Sequence, residues 1–389
     1  MMAAVRVAVI ADYAEEEWPS MDLVAEMLMQ HLAAEHHGSV EATLVRPRLP
    51  WRLSRLTPAA RTLDRVLARL VDYPRALAGV RGRFDVYHVI DHSYAHLVHA
   101  LPAARTMVTC HDVDAFRAVL EPAEERATAV YRLIGRRILS GLRLARHVAC
   151  DSEATRAALV ALAQFPEARL SVIPNGADTG GYPERDAAAD VEAARMLGPK
   201  RDVELLHVGS TIPRKRIDVL LDVVAAVRRT RPSVRLVRVG GPFTAEQRVH
   251  ARALGLLDHA EVLPFVDRAT LAAVYRRSAL ALLTSEREGF GLPLVEALAC
   301  GTPIVASDIP VLREVGGEAA TYCAVGDIGA WAGTIDRLLS ERQEAAAAWQ
   351  RRREDGLRRA ADFSWSRYTA AVVTQYCEIA GAAATTEPA

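Results

Sequence analysis

Two glutamates, two glycines and a scarce lysine carry most of the chemistry that can be read from this chain. Glu288 and Glu296 stand in an E-x7-E relation within Thr284-Ser-Glu-Arg-Glu288-Gly-Phe-Gly-Leu-Pro-Leu-Val-Glu296. Gly289 and Gly291 let backbone amides approach a ligand closely, and Pro293 is well placed to open a helix. A helix N-terminus adds partial positive charge, so the segment reads as a cradle for a pyrophosphate. Two carboxylates beside an anion site are costly unless they accept hydrogen bonds from another group. The hydroxyls of a hexose or a ribose fit that need. The plain alternative is a glycine loop before a solvated acidic helix.

A second group is made of histidines: His88, His92, His96 and His99, then His111 beside Asp112. His88 falls in an expected strand, and His96 and His99 on an expected helix. They need not aim at one point, and no metal site is expected. His111 falls at the carboxyl end of an apolar run, and His92 in Asp91-His-Ser-Tyr is a second candidate. The loop after the first strand, Ala11-Asp12-Tyr-Ala-Glu15-Glu-Glu17-Trp18, is acidic and has no glycine. An acidic loop at a strand's carboxyl end should repel a phosphorylated ligand. Its alternative is a solvated loop capped by Ser20.

These residues need a scaffold, and the hydrophobic pattern supplies one. Short apolar runs at 5–10, 42–45, 86–90, 106–110 and 147–150 read as buried parallel strands separated by helical stretches. A second series begins near residue 203, with strands expected at 204–208, 234–239, 261–263, 280–283 and 303–306. The connector between them, 177–199, is rich in Gly, Asp and Ala. Two βα series of similar size imply two doubly wound α/β domains, 1–180 and 181–364, facing an interdomain cleft. An amphipathic helix in 365–389 should cross back to the first domain.

Composition narrows the function classes. The 389 residues are 51% hydrophobic and 25% charged, which excludes a disordered or fibrous chain. Net charge is zero, so no global basic field points to nucleic acid. The five cysteines form no C-x-x-C pair, which suits a reducing compartment. No apolar run of spanning length exists, and a cytoplasmic protein is expected. Ten arginines between Arg46 and Arg83 suggest either a solvated face or peripheral contact with an anionic membrane. Of the 48 basic residues only Lys200 and Lys215 are lysines, so any lysine chemistry has two candidates.

The glutamate segment, continued as Glu296-Ala-x-Ala-x-Gly301-x-Pro303-x-Val305, resembles the donor-site signature of family 4 retaining glycosyltransferases, which adopt the GT-B fold. Leu206-His-Val-Gly209-Ser210-Thr-Ile-Pro-Arg214-Lys215-Arg216 resembles the family's strand–glycine–loop–lysine segment. Asp151-Ser152, Asn175-Gly176-Ala-Asp178, Gly240-Gly241-Pro242 and Ser307-Asp308 keep the family's order. Where the family usually has arginine after the first glycine, this chain has Ser210, and Arg214 or Arg216 is expected to compensate.

The resemblance implies transfer of a sugar from a nucleoside diphosphate donor to a hydroxyl acceptor, with retained configuration and without a metal. His111, Lys215 and Glu288 would be the catalytic residues. The donor would be held by Gly209, Ser210, Arg214, Lys215, Phe265, Val266, Glu288, Gly289, Phe290, Gly291, Leu292 and Glu296, with Glu296 on the ribose. Asp12, Glu17, Trp18, His92 and Asp112 are the acceptor-side candidates. Asp112-Val-Asp114 spells the D-x-D of metal-dependent GT-A enzymes, but its surroundings are GT-B. The Pro-Arg-Lys form of the lysine loop favours GDP-mannose over a UDP-sugar. No cofactor is implied beyond the nucleotide sugar itself, which is a co-substrate. The rivals are a GT-B nucleotide-sugar 2-epimerase, a pyridoxal-dependent phosphorylase needing a Schiff-base lysine, and an inactive nucleotide-sugar-binding scaffold.

Overall fold

A computed structural model describes residues 4–16, 18–50, 52, 58–177, 186–199 and 203–384. The chain divides into two units: Met1–Gly176 with Trp365–Ala389, and Ala177–Ser364.

The first unit holds six strands: β1 (Val5–Ile10), β2 (Val40–Val45), β3 (Val86–Val89), β4 (Thr106–Cys110), β5 (His147–Cys150) and β6 (Leu170–Val172). All pair in parallel in the order β2-β1-β3-β4-β5-β6. Each strand residue faces the opposite side from its neighbour. Val7 and Val9 therefore join one apolar layer, while Ala8 and Ile10 join another on the opposite face. That two-sided burial explains why β1 reads as continuously apolar.

The layer on Val7 and Val9 is closed by the helix Trp365–Ala384. Its Trp365, Tyr368, Val372, Tyr376 and Ile379 recur at helical spacing and are buried there. Tyr376 also reaches the sheet through His88, whose Nδ1 is 2.7 Å from the phenol oxygen, while His88 Nε2 is 2.7 Å from Thr109 Oγ1. The last helix of the sequence is thus part of the first unit.

The second unit repeats the plan with β7 (Glu204–Val208), β8 (Arg235–Val239), β9 (Ala260–Leu263), β10 (Leu280–Leu283), β11 (Ile304–Ser307) and β12 (Thr321–Cys323). The sheet is parallel, in the order β12-β11-β10-β7-β8-β9. Both units are α/β sheets of the Rossmann-like, doubly wound kind. In the first, strand order reverses between β1 and β3; in the second, between β7 and β10. Such reversals leave a crevice at the carboxyl ends of the two strands, where open α/β sheets bind ligands.

Several local readings change. In the arginine-rich segment a helix runs from Pro58 to Leu67 and then widens over Ala68–Asp72. Tyr13 and His96 engage the carbonyls of Ala68 and Arg69 there, which fits a local departure from the α-helical ladder. The helix Pro19–Glu35 is opened by Pro19, so Ser20, expected as a cap, lies inside its first turn. His96 and His99 lie in the 3-10 helix His92–Ala100 rather than on an α-helix. The helix Ala346–Ala360 has no apolar stripe to announce it: its buried positions are Gly356 and Ala360. Arg353 and Arg359 fasten it by donating to the carbonyls of Gly301 and Val315.

Within the arginine-rich segment, Arg46 pairs with Asp22, Arg52 with Asp72 and Arg69 with Glu16. Residues 53–57 lie outside the described part. Among the described residues, no helix is long and apolar enough to cross a membrane.

Candidate functional site

In the second unit the candidate donor residues of the loops after β7 and β10 lie at the reversal between those strands, while Phe265 and Val266 follow β9, two strands from β7. After β7 the chain passes Gly209 and makes a short 3-10 turn, Pro213–Lys215, before the helix Ile217–Thr230. After β10 it runs through the glycine-bearing loop into the helix Leu292–Ala299. Gly291 precedes that helix at φ 93°, and a Cβ there would stand 2.6 Å from Leu312 Cδ2. Only glycine fits.

The two loops are joined by charge. Lys215 Nζ lies 2.6 Å from Glu288 Oε1, and Arg214 Nη1 lies 3.4 Å from Oε2. Ser285 Oγ donates to the same carboxylate at 2.7 Å, and Thr284 Oγ1 donates to the Lys215 carbonyl at 3.0 Å. Burial works to raise the Glu288 pKa, but the charges of Lys215 and Arg214 outweigh it and hold the value below the ordinary range. Lys215 and Glu288 are nearly enclosed, so this is a fixed ion pair rather than a surface one.

Arg216 is turned away from the group. Its guanidinium engages Asp218 at 2.8 Å and Glu286 at 3.4 Å. Of the two arginines expected to compensate for Ser210, Arg214 alone belongs to the Glu288 cluster.

Glu296 sits on the helix Leu292–Ala299 and is buried; its Oε2 accepts from the Tyr275 hydroxyl at 3.0 Å. Burial raises its pKa to about 7, although the Tyr275 hydrogen bond works against the rise. Phe290 is buried edge-on against Phe363, with ring centroids 5.5 Å apart, so its side chain serves packing. The Phe265 side chain is 57% exposed. Val266 and Leu292 are half-buried, and Gly289 is buried. Lys200 lies outside the described residues.

The first unit builds a second polar cluster at its own reversal. Asp12 follows β1, Asp91 and His92 follow β3, His111 and Asp112 follow β4, and Asp151 follows β5. His111 Nδ1 is 3.2 Å from Asp151 Oδ2, and its Nε2 is 3.0 Å from the Ile90 carbonyl. Asn175 donates to Asp151 at 3.2 Å. Burial opposes the charge on His111, yet the Asp151 hydrogen bond and charge raise its pKa. Both ring nitrogens are engaged within the unit, which fixes the orientation of the imidazole.

His92 Nε2 is 3.1 Å from Asp112 Oδ1, and its Nδ1 is 3.4 Å from Asp91 Oδ1. Burial is again opposed by the carboxylates, which bring its pKa up to about 8. Asp112 also accepts from the Asp114 backbone N–H at 2.9 Å, and Asp114 pairs with Arg117. The D-x-D carboxylates thus serve a helix start. Among the described residues, no three His, Cys, Asp or Glu side chains converge as a metal-ligand set.

Asp12 is buried, not solvated. Burial, then the charge and hydrogen bond of Asp91, push its pKa well above the carboxylate range. Asp91 is held low against burial by His92 and Ser93, so Asp12 keeps the proton of the pair. Arg69 stands close enough to pull the other way; it donates to Ser93 O and Oγ at 2.9 and 2.8 Å. Trp18 is 46% exposed at the start of its helix. Glu17 lies outside the described residues.

Several members of the two clusters carried no separate signal. Arg69 was hidden as one of ten arginines in its segment, and Tyr275 belongs to no motif. Their partners, Glu16 and Glu296, come from other segments, and only the fold brings them together.

Similarity to known proteins divides along the same two units. Residues 6–180 match the family model described as Glycosyltransferase Family 4, and residues 192–355 the one described as Glycosyl transferases group 1. The chain belongs to the family 4 glycosyltransferases and has the GT-B fold. A D-inositol 3-phosphate glycosyltransferase of Mycobacterium sp. (strain KMS) is 37% identical over 190 residues, 47% of this chain and 42% of the relative. One from Gordonia bronchialis is 30% identical over 283 residues, 69% of this chain and 59% of the relative. The chain spans about half the length of the curated relatives it matches. Among solved structures, sucrose-phosphate synthase from Thermosynechococcus elongatus superposes with a TM-score of 0.76 at 19% identity, covering 97% of this chain and all of that one. Anabaena Alr3699/HepE, solved with UDP and glucose, gives 0.69 at 18% identity, covering 96% of this chain and all of that one. These structural likenesses concern the fold.

Proposed function

We propose that this chain is a retaining, metal-independent hexosyltransferase that moves a sugar from a nucleoside diphosphate sugar to a hydroxyl acceptor in glycan biosynthesis. The observation that carries the reading is the enclosed Lys215–Glu288 pair with Arg214 at the β7/β10 reversal. Donor diphosphate competes with Glu288 for Lys215 and Arg214. The freed carboxylate then accepts from the hydroxyls of the transferred sugar, and Glu296 from those of the ribose.

As the glycosidic bond breaks, negative charge grows on the departing diphosphate. Lys215, Arg214 and the amides of residues 289–292 stabilise it. The sugar passes through an oxocarbenium-like state, and the acceptor oxygen attacks from the face the diphosphate leaves. Its proton goes to a phosphate oxygen, so no protein nucleophile is required. The oriented His111 ring and the Asp12–Asp91 pair line the acceptor side.

That side favours an acceptor without phosphate. With Asp12 protonated, the carboxylates of Glu16, Asp91, Asp112 and Asp151 still outnumber the charges of Arg69, His92 and His111, and a phosphate dianion would meet net repulsion. The named relatives act on an inositol phosphate; this chain is proposed to use a neutral hydroxyl on a glycan, lipid-linked or small-molecule acceptor. The Pro213-Arg214-Lys215 form favours GDP-mannose, with a UDP-sugar as the competing donor. The enzyme is placed in the cytoplasm, with any membrane contact peripheral.

A thermal-shift panel of UDP, GDP, ADP and dTDP, followed by turnover with the matching sugar in excess EDTA, tests the reading. A ligand at 100 times its Kd adds about 2.7 kcal/mol of stability, well within reach of such a panel. A chain that no nucleoside diphosphate stabilises is not this enzyme, and activity lost to EDTA and restored by manganese ends the metal-independent mechanism.

A further inference from the structure

Beneath the donor loops lies a buried arginine that no acid accompanies. Arg238, on β8, is fully buried and is one of the largest enclosed side chains in the protein. Its Nη2 donates to the Gly209 carbonyl at 2.7 Å and its Nη1 to the Gly241 carbonyl, while Nε has no partner. Among the described residues, its polar contacts are backbone carbonyls and its one ring contact is Phe243, 5.5 Å away. A buried charge without a counter-charge is expensive, and a well-packed apolar side chain would be cheaper at such a place.

Beside it stands an equally enclosed imidazole. His207 of β7 is in register with Arg238 across the parallel pair, so the two side chains share one face of the sheet. It is fully buried, and neither ring nitrogen has a hydrogen-bond partner. Burial, Arg238 and Lys215 together push its pKa well below the ordinary histidine value.

The backbone explains what these groups surround. A Cβ placed on Gly240 would stand 2.1 Å from the Gly209 oxygen, so the two glycine turns are pressed together at the ends of β7 and β8. A Cβ on Gly209 would meet His207 Cε1 at 3.4 Å, Lys215 Cε at 3.8 Å and His207 Nε2 at 3.9 Å. The space that glycine leaves open is therefore bordered by one imidazole and the one lysine of the site.

We propose that His207 and Arg238 anchor the donor's diphosphate. Arg238 clamps the Gly209 and Gly241 turns and keeps an uncompensated positive charge under them. His207 and Lys215 border the space over Gly209 that receives a phosphate oxygen. Both are positioning residues, and their role rests on the nucleoside-diphosphate reading of the site. An anion seated there gives Arg238 the counter-charge it lacks and His207 a hydrogen-bond partner. Glu288 offsets only one of the two charges of Lys215 and Arg214, and the Arg238 charge adds to the one that remains in drawing the anion in.

The test is calorimetry on the full chain with UDP and GDP, and with uridine and guanosine, for the wild type and for Arg238→Met, Arg238→Lys and His207→Phe. Arg238→Met should weaken the diphosphate by about tenfold or more, the scale of one charged contact, and leave the nucleoside within about twofold. Arg238→Lys should recover part of that loss, because the charge returns without the double clamp. His207→Phe should weaken the diphosphate alone, by about threefold or more. If Arg238→Met does not fold, the lysine and phenylalanine variants make the same comparison. Unchanged diphosphate affinity in the folded variants, or equal losses for diphosphate and nucleoside, overturns the proposal. A wild-type protein that binds neither diphosphate overturns the donor reading first, before any variant is made.

Discussion

Lys215 and Glu288 are 73 residues apart in sequence and 2.6 Å apart in space, one after β7 and the other after β10. They meet because strand order reverses between those two strands, which brings the two loops to the same end of the sheet. Each satisfies the other, so under the proposed function donor binding would be an exchange of partners and not the filling of bare charges.

That exchange separates binding from turnover. In Glu288→Gln, Lys215 and Arg214 lose their competing carboxylate, and affinity for the bare nucleoside diphosphate should hold or rise. Turnover should fall by about two orders of magnitude or more, the scale of one oriented transition-state contact. The ligand-free variant should be less stable by about 3 kcal/mol, since breaking an enclosed pair strands the remaining charge. Calorimetry, steady-state rates and urea melts measure the three effects; a proportional loss of nucleotide affinity and turnover would contradict the exchange.

Glu296 predicts a pH signature. Burial raises its folded pKa to about 7, above the unfolded value, so the native state keeps a proton that the unfolded chain releases. Its contribution to stability therefore falls as pH rises from about 4.5 to about 7, and Glu296→Gln should gain on the wild type over that interval. Ribose hydroxyls need the ionised carboxylate as acceptor. Nucleotide affinity should thus climb through pH 7 in the wild type and stay low and flat in Glu296→Gln. Titration calorimetry at pH 6, 7 and 8 decides it.

The legible parts of this chain are those whose signal is local. Two-sided burial of parallel strands makes runs such as Val5–Ile10 apolar throughout, and the 284–303 segment carries its loop, helix start and glutamates in one stretch. Less legible were parts held by polar contacts with distant residues. The helix Ala346–Ala360 is fastened by arginine–carbonyl bonds, and no hydrophobic period reports those. The widened turn at Ala68–Asp72 depends on Tyr13 and His96, which lie 55 and 27 residues away from the carbonyls they engage. Asp12 was open to reading as a solvated acid, because nothing in its loop shows that Asp91 will close over it.

The closing helix offers a stability test away from either cluster. Tyr376→Phe removes the hydroxyl that bonds His88 and leaves a buried ring nitrogen without its partner. The expected loss is about 1–3 kcal/mol, the cost of an unsatisfied buried polar group. His88→Phe combined with Tyr376→Phe should be milder than the sum of the single changes, because both polar ends then disappear together. Urea denaturation of the four proteins gives the coupling, and strict additivity would show that the bond contributes nothing.

His111 and Asp151 set the last expectation. Burial raises Asp151 to about 6, while the Asp151 contact raises His111 above the ordinary histidine value. The ion pair therefore exists in a window that opens near pH 6 and closes as pH rises through the His111 value. A raised histidine contributes stability fully below its unfolded pKa and loses it as pH climbs through the folded one. If the oriented imidazolium serves the transfer, kcat/KM should be bell-shaped over that window, with limbs that belong to the coupled pair. In Asp151→Asn the charge holding His111 protonated is gone, although Asn175 and Thr155 can still hold the amide in place. The alkaline limb should move to lower pH, and the rate near pH 7.5 should drop about tenfold or more, as expected for one misheld general acid–base or charge-stabilising group. Histidine NMR titration of the variant should show the same downward shift. A rate that falls at every pH with an unmoved limb would assign Asp151 to the framework alone, and His111 would then have no charged part in the reaction.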